Sequence, residues 1–131
     1  MAKTHEAARP TDGELAILKV LWRRGPSTVR EVHEDLRGAQ ETAYTTTLKL
    51  LQIMTEKGSV ARDESQKSHI YRALLGEEQV QKSFVRDLMD KVFAGSASQL
   101  VLRALGEKPA SPGEIEEIRR MLDDLAKKRR R

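Results

Sequence analysis

The sequence predicts a mainly α-helical chain with one small β-hairpin, and three observations lead to this fold class. Apolar residues recur at helical spacing in six separate stretches of the chain. The spacing changes from helical to extended directly after Gly58, where two short stretches surround a polar segment. Aromatic residues make up only 4% of the 131 residues, so the expected core is aliphatic.

The first helix is predicted over about Asp12 to Arg24, after an arm of residues 1–10 that has no periodicity. Thr11 and Glu14 form a capping-box pattern, in which a hydroxyl and a carboxylate each bind a backbone amide of the other residue. Gly25, followed by proline, predicts the end of this helix through a left-handed cap.

A second capping-box pattern, Thr28 with Glu31, predicts a short second helix that Gly38 ends. The segment Pro26 to Thr28 lies between the two helices and cannot continue the first of them. It is long enough to add one very short strand to a sheet.

The third helix is predicted from Thr42, as its cap, to Gly58, and it has two contrasting sides. The apolar side carries Thr47, Leu50, Leu51 and Met54, and the opposite side carries Thr45, Lys49 and Gln52. Hydroxyl, ammonium and amide groups on one face can reach phosphates and base edges in a major groove. The pattern therefore indicates a recognition helix.

Residues 59–63 and 69–73 predict the two strands of the hairpin, joined by a polar and charged loop. Three helices followed by a hairpin are the order of a winged helix-turn-helix domain, which we place at residues 11–75. In that arrangement the third helix enters the groove and the hairpin lies along the DNA backbone. The same fold can instead bind a protein, and the modest charge of residues 1–75, with 12 basic and 10 acidic side chains, keeps that alternative open.

Residues 76–131 predict three further amphipathic helices and a basic tail. The first ends at Gly95, the second runs from a Ser96 cap to Gly106, and the third begins at Ser111 with Glu114 completing a capping box. Three such helices carry more apolar surface than they can bury among themselves, so a second copy is expected to cover it. The predicted dimerisation residues are Val80, Phe84, Leu88, Val92, Leu100, Val101, Leu102, Leu105, Ile115, Ile118 and Leu122.

The composition of the chain limits the classes of function that we expect. The chain has no cysteine, and its three histidines lie in unrelated segments, so we expect no metal site and no cofactor. No enzyme motif is present, and neither a signal peptide nor a membrane span is predicted, so a cytoplasmic protein without catalytic activity is expected. The net charge of +4 says little about DNA binding, because Lys127 to Arg131 supply +5 by themselves.

Particular motifs resemble the penicillinase-repressor family, the BlaI/MecI type of bacterial winged-helix regulators. These motifs lie in each part of the chain: Thr11-Asp12-Gly13-Glu14-Leu15, Leu21-Trp22, Thr28-Val29-Arg30-Glu31-Val32, Ala43-Tyr44-Thr45-Thr46, Glu56-Lys57-Gly58 and Ser98-Gln99-Leu100-Val101-Leu102. The resemblance implies a homodimeric repressor that occupies a palindromic DNA operator and pairs through its tail helices. It also implies a partner, a membrane-bound sensor metalloprotease that would cut near Arg103-Ala104, where the best-known members have Asn-Phe.

Eight residues are the candidate DNA contacts: Thr45, Thr46, Lys49, Gln52, Arg62, Lys67, His69 and Arg72. The threonines are assigned to phosphate, Lys49 to guanine or phosphate, and Gln52 to a base edge. The four hairpin residues are assigned to the DNA backbone. An ordinary solvated helix face and a charged sheet edge are the alternative interpretations of the same residues.

Overall fold

The computed structural model describes residues 9–37 and 42–129. The elements of the first part of the chain are α1 (Asp12–Arg24), β1 (Ser27–Thr28), α2 (Val29–Arg37), α3 (Tyr44–Lys57), β2 (Val60–Asp63) and β3 (Ile70–Ala73). Those of the second part are α4 (Glu77–Val92), α5 (Ala97–Glu107) and α6 (Pro112–Arg129). This is the predicted order of helices and strands, including the very short strand before the second helix.

The capping boxes at Thr11 and Thr28 are confirmed. Thr11 Oγ1 accepts the amide of Glu14 at 3.3 Å, and Glu14 Oε1 accepts the amide of Thr11 at 3.1 Å. Thr28 and Glu31 make the same reciprocal pair at 3.2 and 2.9 Å. The hydrogen bond from the Thr28 amide is the main cause that lowers the pKa of Glu31.

In the first part of the chain, two helix ends differ from the prediction. Gly25 ends α1 with φ 89° and ψ −169°, so it is not the predicted left-handed cap, although this backbone conformation also favours glycine. The predicted stop at Gly38 lies outside the described residues. The prediction of a Thr42 cap is wrong: Ala43 is the N-cap of α3 and makes no side-chain hydrogen bond.

Gly58 ends α3 as predicted, in the left-handed conformation with φ 85° and ψ 13°. An added Cβ would meet nothing within 4 Å, so only the backbone conformation opposes a larger residue. The amides of Gly58 and Ser59 donate to carbonyls of the last turn, and the chain then turns directly into β2.

We expect Gly58→Ala to lower the free energy of unfolding by about 1–2 kcal/mol, the cost of the left-handed conformation for a residue with a Cβ. Urea denaturation at fixed protein concentration measures the change. Gly76→Ala is the control, since that site is equally open and has no positive φ. Equal effects at the two sites would contradict the backbone explanation.

The three strands form one antiparallel sheet in the order β1-β3-β2. Ser27 lies opposite Tyr71, and Arg62 lies opposite the other side of the same tyrosine. Each hairpin strand is one residue shorter at its start than predicted, at Val60–Asp63 and Ile70–Ala73. The central position of β3 explains why Tyr71 is buried to 1% exposure.

The core of the first part is aliphatic, as expected, and lies between the helices and the sheet. Its buried residues are Ile17, Leu18, Val20, Leu21, Val29, Val32, Leu36, Leu51, Met54, Val60, Tyr71 and Val80. The indole Nε1 of Trp22 donates to the Leu75 carbonyl at 2.8 Å, which ties α1 to the chain after the sheet.

The beginning of α4 belongs to this core. Val80 is only 3% exposed, and Phe84 packs against the core while the Arg9 guanidinium lies 5.3 Å from its ring centroid. Assignment of Val80 to a dimer interface is therefore corrected, because its side chain is already covered within the chain. The amphipathic pattern of α4 does not distinguish residues that pack in the core of the same chain from residues left for a second copy.

The chain divides into two compact units, residues 1–86 and 87–131, with the division inside α4. In the second unit, Ser96 caps α5 as predicted. Ser111 Oγ accepts the amide of Glu114 at 3.1 Å, which is one of the two hydrogen bonds of the predicted capping box. The predicted stop at Gly106 is wrong, since α5 continues to Glu107 and ends at Lys108. None of the described helices is long and apolar enough to cross a membrane.

Candidate nucleic-acid interface

The exposed face of α3 carries the predicted contact residues. Thr45, Thr46, Lys49 and Gln52 are all exposed. On the opposite side, Thr47, Leu51 and Met54 are buried, which confirms the predicted division of this helix. Leu48 and Leu50 pack against the core on the flanks. The exposed face therefore presents two hydroxyls, one ammonium group and one amide on a helix that is fixed from behind.

The first turn of α3 is held by His33 of α2 rather than by a cap. His33 Nδ1 lies 3.3 Å from the hydroxyl of Thr47, which is fully buried. The His33 ring also meets the Tyr44 ring edge to face, with 5.5 Å between centroids and 79° between planes. Since Thr45 and Thr46 lie in the same turn, these contacts position the backbone that carries both residues.

The carboxyl end of α3 is held by an ion pair with α1. Lys57 Nζ donates to both carboxylate oxygens of Glu14, at 3.0 and 3.1 Å. The Glu14 side chain is 4% exposed and the Lys57 side chain 30% exposed, so the pair is largely shielded from water. Contacts at both ends thus fix α3 on the first two helices.

The hairpin places its predicted contact residues at the surface, but their positive charges are not equally available to a phosphate. Lys67, His69 and Arg72 are exposed. The Arg62 guanidinium instead lies 2.7 Å from the Glu64 carboxylate, and hydrogen bonding to Tyr71 together with the Glu64 charge raises the pKa of Arg62. Because its charge is already matched within the hairpin, Arg62 is a weaker candidate for a phosphate contact than Lys67.

The tip of the hairpin is ordered by its own side chains. The Ser65 amide donates to Asp63 Oδ1 at 2.9 Å, a local turn bond that lowers the pKa of Asp63, with a smaller contribution from the charge of Arg72. Two carboxylates therefore lie among the hairpin cations. We expect the hairpin to contribute less attraction for phosphate than its count of basic residues indicates.

The predicted dimerisation residues lie on all three tail helices, and five of the eleven are exposed: Leu88, Val92, Val101, Leu102 and Leu122. Among the larger apolar side chains of this part, the exposed ones are Val85, Leu88, Val92, Val101, Leu102, Met121, Leu122 and Leu125. Leu100, Leu105, Ile115 and Ile118 are half-buried. No residue of α5 or α6 is buried, so the apolar faces of these two helices are at most partly covered by the described residues. Arg103 and Ala104, the predicted clip, are exposed within α5.

Sequence reasoning missed the residues that support the α3 face: His33 and Glu14 with its partner Lys57. The sequence pattern around Glu14 indicates a capping role alone, and His33 is one of three histidines in unrelated segments. Their partners lie 14 and 43 positions away in the sequence, so no local spacing could reveal them. The described residues contain no group of three or more His, Asp or Glu side chains that could hold a metal ion.

With this geometry established, comparison with known proteins identifies the family. The sequence profile described as "Penicillinase repressor" matches residues 10–124. The chain belongs to the penicillinase repressor family. This confirms the resemblance drawn from the motifs, and the match spans both compact units.

Individual relatives agree with the family. "Transcriptional regulator BlaI" of Mycobacterium tuberculosis (strain CDC 1551 / Oshkosh) is 30% identical over 115 residues, which are 87% of this chain and 83% of that protein. "Methicillin resistance regulatory protein MecI" of Staphylococcus aureus (strain N315) is 23% identical over 121 residues, or 92% of this chain and 96% of that protein. Both similarities extend over nearly the full length of the chains.

A solved structure of similar fold is a MarR family protein from Bacillus stearothermophilus. It covers 99% of this chain and 84% of its own length, with a TM-score of 0.51 and 20% sequence identity. At this identity the likeness concerns the fold alone. It agrees with the winged-helix order of three helices, a small sheet and further helices in this member of the penicillinase repressor family.

Proposed function

We propose that this chain is a homodimeric, sequence-specific DNA-binding repressor that acts in the cytoplasm by occupying a palindromic operator. The observation that carries the proposal is the exposed face of α3, where Thr45, Thr46, Lys49 and Gln52 stand on a helix fixed at both ends. Membership of a family of repressors supports this assignment. In this proposal residues 11–75 bind DNA and residues 76–131 dimerise, except for the start of α4, where Val80 packs in the core of the first unit.

The chemistry of the face suits a major groove. Thr45 and Thr46 lie in the first turn of α3, whose amides have no side-chain cap and can bind a phosphate together with the hydroxyls. Lys49 and Gln52 lie one and two turns further along, where a recognition helix approaches base edges. Lys67, His69 and Arg72 of the hairpin would lie along the backbone.

Exposed apolar surface on the three tail helices supports dimerisation. Among the described residues, eight large apolar side chains of α4, α5 and α6 are exposed, and such surface marks an interaction site. A second copy can cover these faces through a two-fold interface, and the same symmetry places two α3 helices on two half-sites of a palindrome. The clip at Arg103-Ala104 by a sensor metalloprotease stays a prediction.

The proposal is tested by selecting duplexes from a random-sequence pool with the purified chain. We expect enrichment of an inverted repeat that binds one dimer, with an affinity that falls by roughly 10³-fold or more between 50 and 200 mM salt. Sedimentation equilibrium without DNA gives the oligomeric state.

Two outcomes would contradict this function. Failure to enrich any duplex would favour the alternative, in which α3 and the hairpin bind a protein. Enrichment of a single half-site by a monomeric chain would contradict the dimer while leaving DNA binding intact. A contact with an apolar protein surface, unlike one with phosphate, would change little with salt.

A further inference from the structure

The last helix, α6, carries an apolar stripe that is exposed in its second half. Leu122 is 58% exposed and Leu125 57% exposed, and no residue of the helix is buried. Ile115 and Ile118, which are half-buried, continue the stripe toward the start of the helix. The part of the stripe from Ile118 to Leu125 is nearly symmetric about Leu122, because its two ends lie four and three positions away.

The charges of α6 come in four blocks of alternating sign. From the start of the helix they are acidic at Glu114, Glu116 and Glu117, basic at Arg119 and Arg120, acidic at Asp123 and Asp124, and basic at Lys127, Lys128 and Arg129. If this order is reversed, each block meets one of opposite sign and equal size. The helix is therefore complementary to its own antiparallel copy.

The positions of the charges around the helix support the same alignment. At 100° per residue, Glu117 and Lys128 line one margin of the stripe, and Arg119 and Asp123 line the other. A two-fold axis perpendicular to two antiparallel helices brings like margins together. Glu117 then faces Lys128 and Arg119 faces Asp123, and the midpoints of both pairs lie within one residue of Leu122.

We infer that α6 pairs antiparallel with α6 of a second copy, centred on Leu122, and that the charge blocks select this register. The inference rests on the proposed homodimer and adds to it the partner surface and its direction. A parallel pair would place each acidic block beside an acidic one and each basic block beside a basic one, so repulsion disfavours that arrangement.

Within the chain, these charges have weak alternatives. Arg119 lies 3.7 Å from Glu116 on the same helix, and the two side chains are 70% and 59% exposed. An exposed pair at this distance contributes little. Exchange of this contact for Asp123 of a second copy therefore costs little, whereas burial of the stripe at Leu122 and Leu125 stabilises the pair.

Charge reversal in the full-length chain tests the register. One variant carries Glu114→Lys with Glu117→Lys, and the other carries Lys128→Glu with Arg129→Glu. In an antiparallel pair each variant opposes its own copy, so the dissociation constant of each homodimer should rise by roughly tenfold or more. An equimolar mixture restores all opposite-sign contacts and should form the mixed dimer with an affinity within about threefold of the unchanged chain. Sedimentation equilibrium and native mass spectrometry measure both.

The mixture also separates pairing from helix stability. Lysine at the start and glutamate at the end of a helix both oppose the helix dipole, but that cost persists in the mixture. Glu77→Lys with Glu78→Lys, the same reversal in the first turn of α4, is the matched control and should leave the dimer unchanged.

Each result is decisive. Homodimers of both variants as tight as the unchanged chain would overturn the antiparallel register and leave the proposed dimer standing. Weak homodimers that mixing does not rescue would also overturn it, since the loss would then be one of helix stability. An unchanged chain that sediments as a monomer would overturn the proposed homodimer itself, and the pairing with it.

Discussion

Replacement of Lys49 by alanine should raise the dissociation constant for the selected duplex by at least about 30-fold, since each lost contact is worth about 1–3 kcal/mol and a dimer loses two. Lys49 is exposed in the middle of the polar face of α3, and its backbone is fixed through the buried Thr47 and Leu51. The substitution removes a charge at the surface and no packing. The fold and the dimer should therefore be unaffected.

The measurement is a gel-shift titration of the duplex at several salt concentrations. Lys19→Ala is the matched control, because it removes the same exposed charge from α1, away from the proposed interface. If Lys49 binds phosphate, the slope of log affinity against log salt should fall by about 0.9 for each lost contact. If Lys49 reads a guanine, the slope should change little and discrimination at one base pair should be lost.

An affinity of Lys49→Ala equal to that of the Lys19→Ala control would remove α3 from the DNA interface. Sedimentation and circular dichroism of both variants establish that the compared proteins are folded dimers. A loss of affinity that accompanies a loss of helicity would not support a direct contact.

The difference between local and distant signals explains what could be predicted from the sequence. Capping boxes at Thr11 and Thr28 and the left-handed stop at Gly58 depend on residues within one turn, and the structure confirms all three. The amphipathic division of α3 is equally local. The prediction of DNA binding depended on the family resemblance, because residue spacing alone does not distinguish a DNA-binding winged helix from a protein-binding one.

The failures come from contacts between elements. Thr42 has the right chemistry for a cap, but α3 begins after Ala43, and its first turn is fixed by His33 from another helix. Val80 has the right spacing for a dimer interface, but the core of the first unit covers it. In both cases the structure depends on a contact with another element of the fold, which the local sequence pattern does not contain.

Loss of the Glu14 carboxylate should have the largest effect on stability in the first unit. We expect Glu14→Ala to lower the free energy of unfolding at pH 7 by about 2–4 kcal/mol, from a lost helix cap and lost charge-assisted hydrogen bonds. The side chain is 4% exposed and binds both the Thr11 amide and Lys57 Nζ. Since typical domains are stable by only about 5–15 kcal/mol, the change should be plain in urea denaturation.

A double-mutant cycle separates the two roles of Glu14. Lys57→Met removes the cation, leaves the cap, and should cost about 1–3 kcal/mol because it leaves a buried carboxylate without its partner. The double variant should cost less than the sum of the two single variants by about 0.5–3 kcal/mol, the coupling expected for residues in contact. Glu34→Ala, at an exposed position of α2, is the control and should change stability by less than about 0.5 kcal/mol.

Additive effects of Glu14→Ala and Lys57→Met would show that the ion pair contributes nothing and that α3 is fixed by its apolar side alone. Coupled effects would have a consequence for DNA binding. Because Lys57 lies in the last turn of α3, release of this end should loosen the helix that presents Lys49 and Gln52. The affinity of Lys57→Met for the selected duplex should then fall even though Lys57 itself is directed toward Glu14 and away from the proposed interface.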